Sequence, residues 1–186
     1  MLIVSDNRVR QSNAPDEALI LRIAADDQRA LASLYGETST SVYAFILSIV
    51  KNSHTAEDLM QETYIQIYLA ASSYKPQGKP MAWILTIARN LAFMKLREKS
   101  SADVSLDTDW SLRSEHDGIQ QALDRLVLES AMRVLDENER QIIMLHDVAG
   151  LKHREIADFM QLPLATVLSK YRRALSKVRK QVQEEI

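Results

Sequence analysis

Apolar residues recur at helical spacing along almost the whole chain. Between Ala18 and Tyr35 they fall at Leu19, Ile20, Ile23, Ala24, Leu31 and Leu34, which predicts an amphipathic helix. Val42–Val50 is nearly all apolar and has helical neighbours, so it reads as a buried helix rather than a strand. Thr55-Ala56-Glu57-Asp58 looks like a helix start, with Thr55 as cap and an acid three residues on. The helix it opens carries Met60, Tyr64, Ile67, Tyr68 and Ala71 along one side. Ser72–Pro80 has the composition of a loop. Pro80 suits the first position of a helix reaching about Lys99, with Trp83, Ile87, Leu91 and Met94 on one face.

The periodicity dissolves between Ser100 and Gly118, a polar and acidic stretch whose one large aromatic is Trp110. Such a stretch reads as a linker, and fully extended it could reach roughly 60 Å, enough to hold two domains well apart. Beyond it, Ile119–Leu135 is amphipathic through Leu123, Leu126, Val127, Ala131 and Val134. Asp136 with Glu139 forms a second candidate capping box, and Gly150 suits a helix C-terminal cap. Glu155-Ile156-Ala157 then lies in one amphipathic segment, Leu162-Pro163 breaks it, and Thr166-Val167 opens another. The expected architecture is all-α: two small helical domains, residues 1–98 and 119–186, joined by an acidic linker over 99–118. The C-terminal domain is expected to be a helix-turn-helix.

Composition narrows the chemistry. The 186 residues include no cysteine and four glycines, which excludes disulfide scaffolds and thiolate metal sites and leaves little room for phosphate-cradling loops. The apolar start, Leu2-Ile3-Val4, is far too short for a signal peptide, and no run approaches the roughly 18–20 apolar residues that span a bilayer. A cytoplasmic protein without membrane insertion is expected. The net charge of −2 hides a segregated pattern. Residues 1–98 balance ten basic against ten acidic side chains, residues 99–136 carry four against eight, and residues 137–186 carry nine against seven. An acidic middle and a basic end leave nucleic-acid binding open.

The basic end is concentrated in one helix. Lys170, Arg172, Arg173, Lys177, Arg179 and Lys180 follow the Leu162-Pro163 break, with no acid between Thr166 and Gln183. A cationic helix docked behind a short turn suits the major groove of DNA, with Thr166, Ser169, Lys170, Arg172 and Arg173 reaching phosphates and base edges. The plain alternative is a solvated surface helix. Asp58 and Glu62 stand one helical turn apart with Gln61 beside them. That grouping serves either as part of a helix cap or as a protein-docking face, since the further ligands of a metal site are missing. Thr86, Asn90, Phe93 and Arg97 fall at steps of four, three and four, with Arg89 alongside. A stripe of hydrogen-bonding groups, an aromatic ring and a charge suits unstacked single-stranded bases, or is an ordinary half-exposed face. The four histidines make no credible metal set, and no phosphate loop, nucleophile elbow or zinc-protease motif occurs. Neither a cofactor nor enzymatic activity is expected.

Three segments together resemble the extracytoplasmic-function (ECF) class of bacterial RNA polymerase sigma factors. They are Ala56-Glu57-Asp58-Leu59-Met60-Gln61-Glu62-Thr63, Trp83 to Ala92, and Glu155-Ile156-Ala157 followed by Leu162-Pro163 and Thr166 to Lys170. The resemblance runs from about Asp16 to Lys180. It implies that Asp58, Gln61 and Glu62 dock on the clamp helices of the polymerase largest subunit, with the flap as a second contact. It implies that the Ser72–Pro80 loop, through Lys79, and the helix residues Thr86, Arg89, Asn90, Phe93 and Arg97 handle the minus-ten element as single strand, Asn90 and the loop capturing a flipped base. Thr166, Ser169, Lys170, Arg172 and Arg173 would read the minus-thirty-five element as duplex. Many relatives are held inactive by an anti-sigma factor, which brings such a protein into the range of expected partners.

The sequence departs from the family pattern in places. Gln161 stands where a turn glycine is frequent, at a cost of about 1 kcal/mol if that residue is left-handed. Ala165 replaces another frequent glycine, Leu168 and Leu175 replace basic residues, and Met94 replaces an acidic one. These changes bear on base preference rather than on the family. The expected function is an alternative-type sigma factor that binds core polymerase, directs it to promoters and assists melting. The competing reading, an autonomous helix-turn-helix regulator, explains the C-terminal helices but leaves the Asp58–Glu62 face and the Thr86–Arg97 stripe without a purpose.

Overall fold

Short acidic and amide side chains set where helices begin. The Asp16 carboxylate accepts the Ala18 amide at 2.9 Å, Asp27 accepts the amides of Arg29 and Ala30, and Asn52 accepts that of Thr55. The computed structural model describes residues 15–101, Ser130 and residues 132–184. Within them run α1 (Glu17–Ala24), α2 (Gln28–Val50), α3 (Ser53–Ala70) and α4 (Pro80–Ser101), followed by α5 (Glu137–Ile143), α6 (His153–Met160) and α7 (Leu164–Glu184). A 3-10 turn, Ala71–Ser73, follows α3, and a π turn, Met144–Val148, follows α5. The chain is all-α, as its periodicity predicts.

Two helix starts differ from expectation. The single helix expected over Ala18–Tyr35 is two, because the chain turns at Ala25–Asp27. There Asp26 takes a φ of 64°, and Asp27 caps α2 while pairing with Arg22 at 2.7 Å. Thr55 is not the cap of α3. Asn52 is, and the helix begins three residues earlier, which releases Asp58 from any capping role. Pro80 does open α4, and Asp136 with Glu139 does form a reciprocal capping box on α5. Gly150 takes a φ of 75° just beyond the π turn, the left-handed geometry that a helix end favours. The linker and most of the helix expected at Ile119–Leu135 lie outside the described residues, although α4 carries helical structure through Ser101.

In the first four helices, α2 is the central element and packs against α1, α3 and α4. Leu34, Val42, Phe45 and Ile46 from α2 meet Ile20, Ile67, Ile84 and Leu85, all without solvent exposure. A buried polar link crosses this core: the Thr38 hydroxyl donates to the Leu34 carbonyl and meets the Tyr64 hydroxyl at 2.7 Å. Burial pushes the Tyr64 phenol up to about 12. The deepest face of α4 is Met81, Ile84, Leu85, Ala88 and Ala92, while Trp83, Ile87 and Leu91 are partly buried against the same core and Met94 is exposed. Helix α4 is apolar nearly all round its first three turns, so its periodicity does not distinguish these faces.

The C-terminal helices pack around Ile142, Leu145, Ile156, Val167 and Ala174. They do not stand apart from the first four. Helix α2 also packs on α5 and on the π turn, and the buried residues of both groups form one continuous cluster. The Ser41 hydroxyl donates to the Val148 carbonyl at 3.0 Å. Arg140, almost fully buried, donates to the Met132 and Leu135 carbonyls and reaches the Ser48 carbonyl at 3.4 Å. Phe159 of α6 packs edge-on against Phe45, ring centroids 5.7 Å apart. The expected linker length permits wide separation, yet here the apolar surfaces of the two groups are buried against each other.

Candidate functional site

Three surfaces carry the residues singled out from the sequence. The first is the outer face of α3. With Asn52 as cap, Asp58 is exposed, Gln61 is exposed beside it, and Glu62 is half-buried and accepts the Gln66 amide at 2.8 Å. Ile65 and Leu69, 53% and 64% exposed, extend the same stripe by one turn each. An acidic and amide patch that runs into bare aliphatic side chains is suited to a protein partner rather than to an ion. No group of three acidic or histidine side chains that could hold a metal occurs among the described residues.

The second surface joins α4 to the loop before it. Thr86, Asn90 and Arg97 are exposed and Phe93 is half-buried, so the stripe predicted at steps of four, three and four does share the outer face. The Thr86 hydroxyl turns back to the Ala82 carbonyl at 2.8 Å. Arg89 is engaged: it donates to the Phe159 carbonyl at 2.9 Å, and its guanidinium lies 5.5 Å from the Phe93 ring centre and 5.3 Å from that of Phe159. Lys79 is exposed and stands 3.9 Å from the Asp158 carboxylate. Between loop, α4 and α6 opens a cleft of about 400 Å³, walled by Tyr74, Lys79, Trp83, Thr86, Glu155 and Phe159.

The loop owes its shape to residues that local sequence does not connect. Tyr74 is buried edge-on against Trp83, ring centroids 4.9 Å apart, and its hydroxyl donates to the Glu17 carboxylate. The same carboxylate oxygen accepts the backbone amides of Gln77 at 2.9 Å and Gly78 at 3.0 Å. Gly78 sits at a φ of 68°, where a side chain would be strained. The Tyr74 hydroxyl and these amides hold the Glu17 carboxyl below the usual carboxylate range, against the opposing effect of burial. Tyr74 is pushed up by burial and by Glu17. Glu17 lies about sixty positions before the loop, so neither spacing nor periodicity signals the contact.

The third surface is α7. Val167 and Ala174 are buried, with Tyr171 and Val178 half-buried on the same side. The opposite side presents Ser169, Arg172, Arg173, Ser176, Arg179 and Lys180 to solvent. Two lysines are turned away from that face. Lys170, its side chain 18% exposed, pairs with Asp136 at 3.1 Å, and Lys177 pairs at 2.7 Å with Glu139, which is 1% exposed. Thr166 is half-buried at the start of the helix and accepts the Ser169 hydroxyl through its carbonyl. Gln161, at φ 55° and ψ 42°, is indeed left-handed and ends α6. His146 and His153 stack 4.1 Å apart against Tyr171, so they belong to the packing beneath α7.

An acidic stripe running into bare aliphatic side chains, a cleft with an aromatic and basic wall, and an outward cationic helix thus occur on one chain. The family model described as sigma-70 region 2 matches residues 34–102, and that described as sigma-70 region 4 matches residues 119–178. The ECF RNA polymerase sigma factor SigK of Mycobacterium ulcerans (strain Agy99) is 30% identical over 173 residues, covering 87% of this chain and 90% of its own. The chain belongs to the ECF RNA polymerase sigma factors. SigK of Mycobacterium sp. (strain KMS) is 27% identical over 164 residues, 84% of each chain. Among solved structures, CnrH in complex with the cytosolic domain of CnrY superposes with a TM-score of 0.66 at 20% identity, over 92% of this chain and 99% of that one. The sigma factor RpoE of Bartonella quintana, in complex with the anti-sigma factor NepR, gives 0.67 at 20% identity over 82% and 96%. At that identity the likeness speaks for the fold. This chain is therefore an alternative sigma factor that directs RNA polymerase in transcription initiation, and its two sigma-70 regions occupy its two helical groups. Sigma factors are in general initiation factors rather than enzymes, and the match over most of the chain disfavours an autonomous helix-turn-helix regulator.

Proposed function

We propose that the three surfaces divide promoter recognition between them. Asp58, Gln61 and Glu62 dock on the clamp helices of the polymerase largest subunit, and the C-terminal domain adds a contact to the flap. The loop with Lys79 and the α4 residues Thr86, Arg89, Asn90, Phe93 and Arg97 hold the minus-ten element as single strand. Bases lifted from the stack find aromatic surface and polar edges there, which offsets the cost of unpairing. Ser169, Arg172 and Arg173 read the minus-thirty-five duplex, flanked by Thr166, with Lys170 joining once it leaves Asp136. Nothing in this division needs a cofactor, a metal or a reaction of its own. Both polymerase and promoter lie in the cytoplasm, the location proposed here. No helix among the described residues is long and apolar enough to cross a membrane.

The observation that carries this reading is the pairing of an outward cationic helix with the outward Thr86–Arg97 stripe of α4 on a chain of sigma-70 regions. The two promoter elements lie about 25 base pairs apart, or about 85 Å along B-form DNA. Contacts such as that of Arg89 with Phe159 hold the two helical groups together, and in this proposal the groups separate to bind both elements. The stretch read from the sequence as a linker would permit that, with a fully extended reach of roughly 60 Å. An anti-sigma factor is proposed as a further partner that would favour the closed arrangement; RpoE was solved with the anti-sigma factor NepR, and CnrH with the cytosolic domain of CnrY. Co-purification with core polymerase is the test. Replacing Asp58, Gln61 and Glu62 with Ala should weaken core binding at least tenfold with helical content intact, and unchanged core affinity would remove the docking assignment.

A further inference from the structure

The loop that walls the cleft is held by a single carboxylate oxygen. Glu17, in the first turn of α1, accepts the Tyr74 hydroxyl and the backbone amides of Gln77 and Gly78. Each bond constrains a different part of the loop. The Tyr74 bond keeps that ring against Trp83, which forms one wall. The two amide bonds fix the left-handed turn at Gly78 and so direct the following residue, Lys79, along the rim. Without an acceptor at this point, Gln77 and Gly78 would turn their amides to water, and an exposed loop between two helices has little else to hold it.

We propose that Glu17 is a positioning residue for minus-ten recognition: it staples the loop in the shape that receives a displaced base. This rests on the loop's proposed role in base capture and adds a residue outside the segments that carry the family resemblance most strongly. The proposal has a distinctive sign. An acidic side chain near a DNA-binding cleft repels phosphate, so its removal would strengthen DNA binding if charge were all it contributed. The staple requires the opposite.

The test uses the full chain assembled with core polymerase. The probe is a fluorescein-labelled single-stranded DNA pool randomised at six positions, selected by the holoenzyme and sequenced. Glu17→Ala should lower single-strand affinity about tenfold and flatten the base preference at the position the loop receives. Core binding and thermal stability should stay near the parent values. Glu17→Gln keeps an acceptor oxygen and should restore much of the preference, whereas a purely structural loss would show as a lower melting temperature in both variants. Tyr74→Phe removes one of the three bonds and should lie between Glu17→Gln and Glu17→Ala.

Lys79→Ala and Asn90→Ala separate the inference from the reading beneath it. If those two lower affinity and selectivity while Glu17→Ala does not, the staple is wrong and base capture stands. If all are without effect, base capture by this loop falls, and the staple with it. Tighter binding of the pool by Glu17→Ala would also overturn the proposal.

Discussion

Phe159 is one of the side chains through which the two helical groups grip one another, and its removal should shift the molecule toward an open form. Its ring packs edge-on against the fully buried Phe45 at 5.7 Å and under the Arg89 guanidinium at 5.3 Å. An aromatic pair of this kind contributes about 1 kcal/mol beyond burial, and a partly desolvated cation–ring contact about another 1 kcal/mol. Phe159→Ala should therefore shift the closed-to-open equilibrium by about 2 kcal/mol, a factor of about 30. The bond from Arg89 to the residue 159 carbonyl is to backbone and survives the substitution. The chain has no cysteine, so cysteines introduced at the exposed Arg29 and Lys180 accept a dye pair cleanly. Energy transfer should fall in Phe159→Ala, and affinity for a single-stranded minus-ten probe should rise by up to about 30-fold as Arg89 and the outer face of α4 become free. Ser41→Ala, which removes the hydrogen bond to Val148, should move both readouts the same way by a smaller step. Unchanged transfer and affinity in Phe159→Ala, with helical content preserved, would refute the view that this contact restrains the face proposed to hold DNA.

Three further outcomes test other parts of the structure. Arg173→Ala should weaken binding to promoter duplex and lower the slope of log affinity against log salt by about 0.9 if Arg173 neutralises one phosphate; an unchanged slope removes it from that role. Gln161→Gly should raise stability by about 1 kcal/mol, because an exposed left-handed residue loses strain and little contact, and the melting temperature should rise by about 2–4 °C. Burial opposes ionisation of Asp136, but the Glu139 amide and Lys170 outweigh it and hold the carboxyl below its ordinary 3.8. Its contribution is thus present above that value and lost as pH falls through the lower folded value, so Asp136→Asn should flatten the acid limb of a stability profile.

How far the sequence led depended on the range of the interactions concerned. Helix content, the Pro80 start, the Asp136–Glu139 box and the outward Thr86–Arg97 stripe were all legible, because each rests on residues within one or two turns. The break at Ala25–Asp27 and the Asn52 cap were misread for a related reason. Thr55 and Asn52 are both good caps three residues apart, and local pattern does not choose between them. Periodicity did not say how deeply each face of α4 is buried, because apolar side chains surround that helix. Lys170 looked like one more cation on a reading face, yet its helical position turns it toward Asp136.

Local periodicity and the order of three motifs were enough to determine an all-α chain with a cationic helix behind a turn, since helix formation and capping are short-range. Tertiary structure alone decided which of those helix faces are free. Phe159 covers Phe45 and occupies Arg89 across 70 positions of sequence, and Glu17 reaches the loop across about 60. Such contacts follow from how amphipathic faces pack in three dimensions, where burial and hydrogen-bond satisfaction compete over the whole molecule. No window along the chain contains both partners.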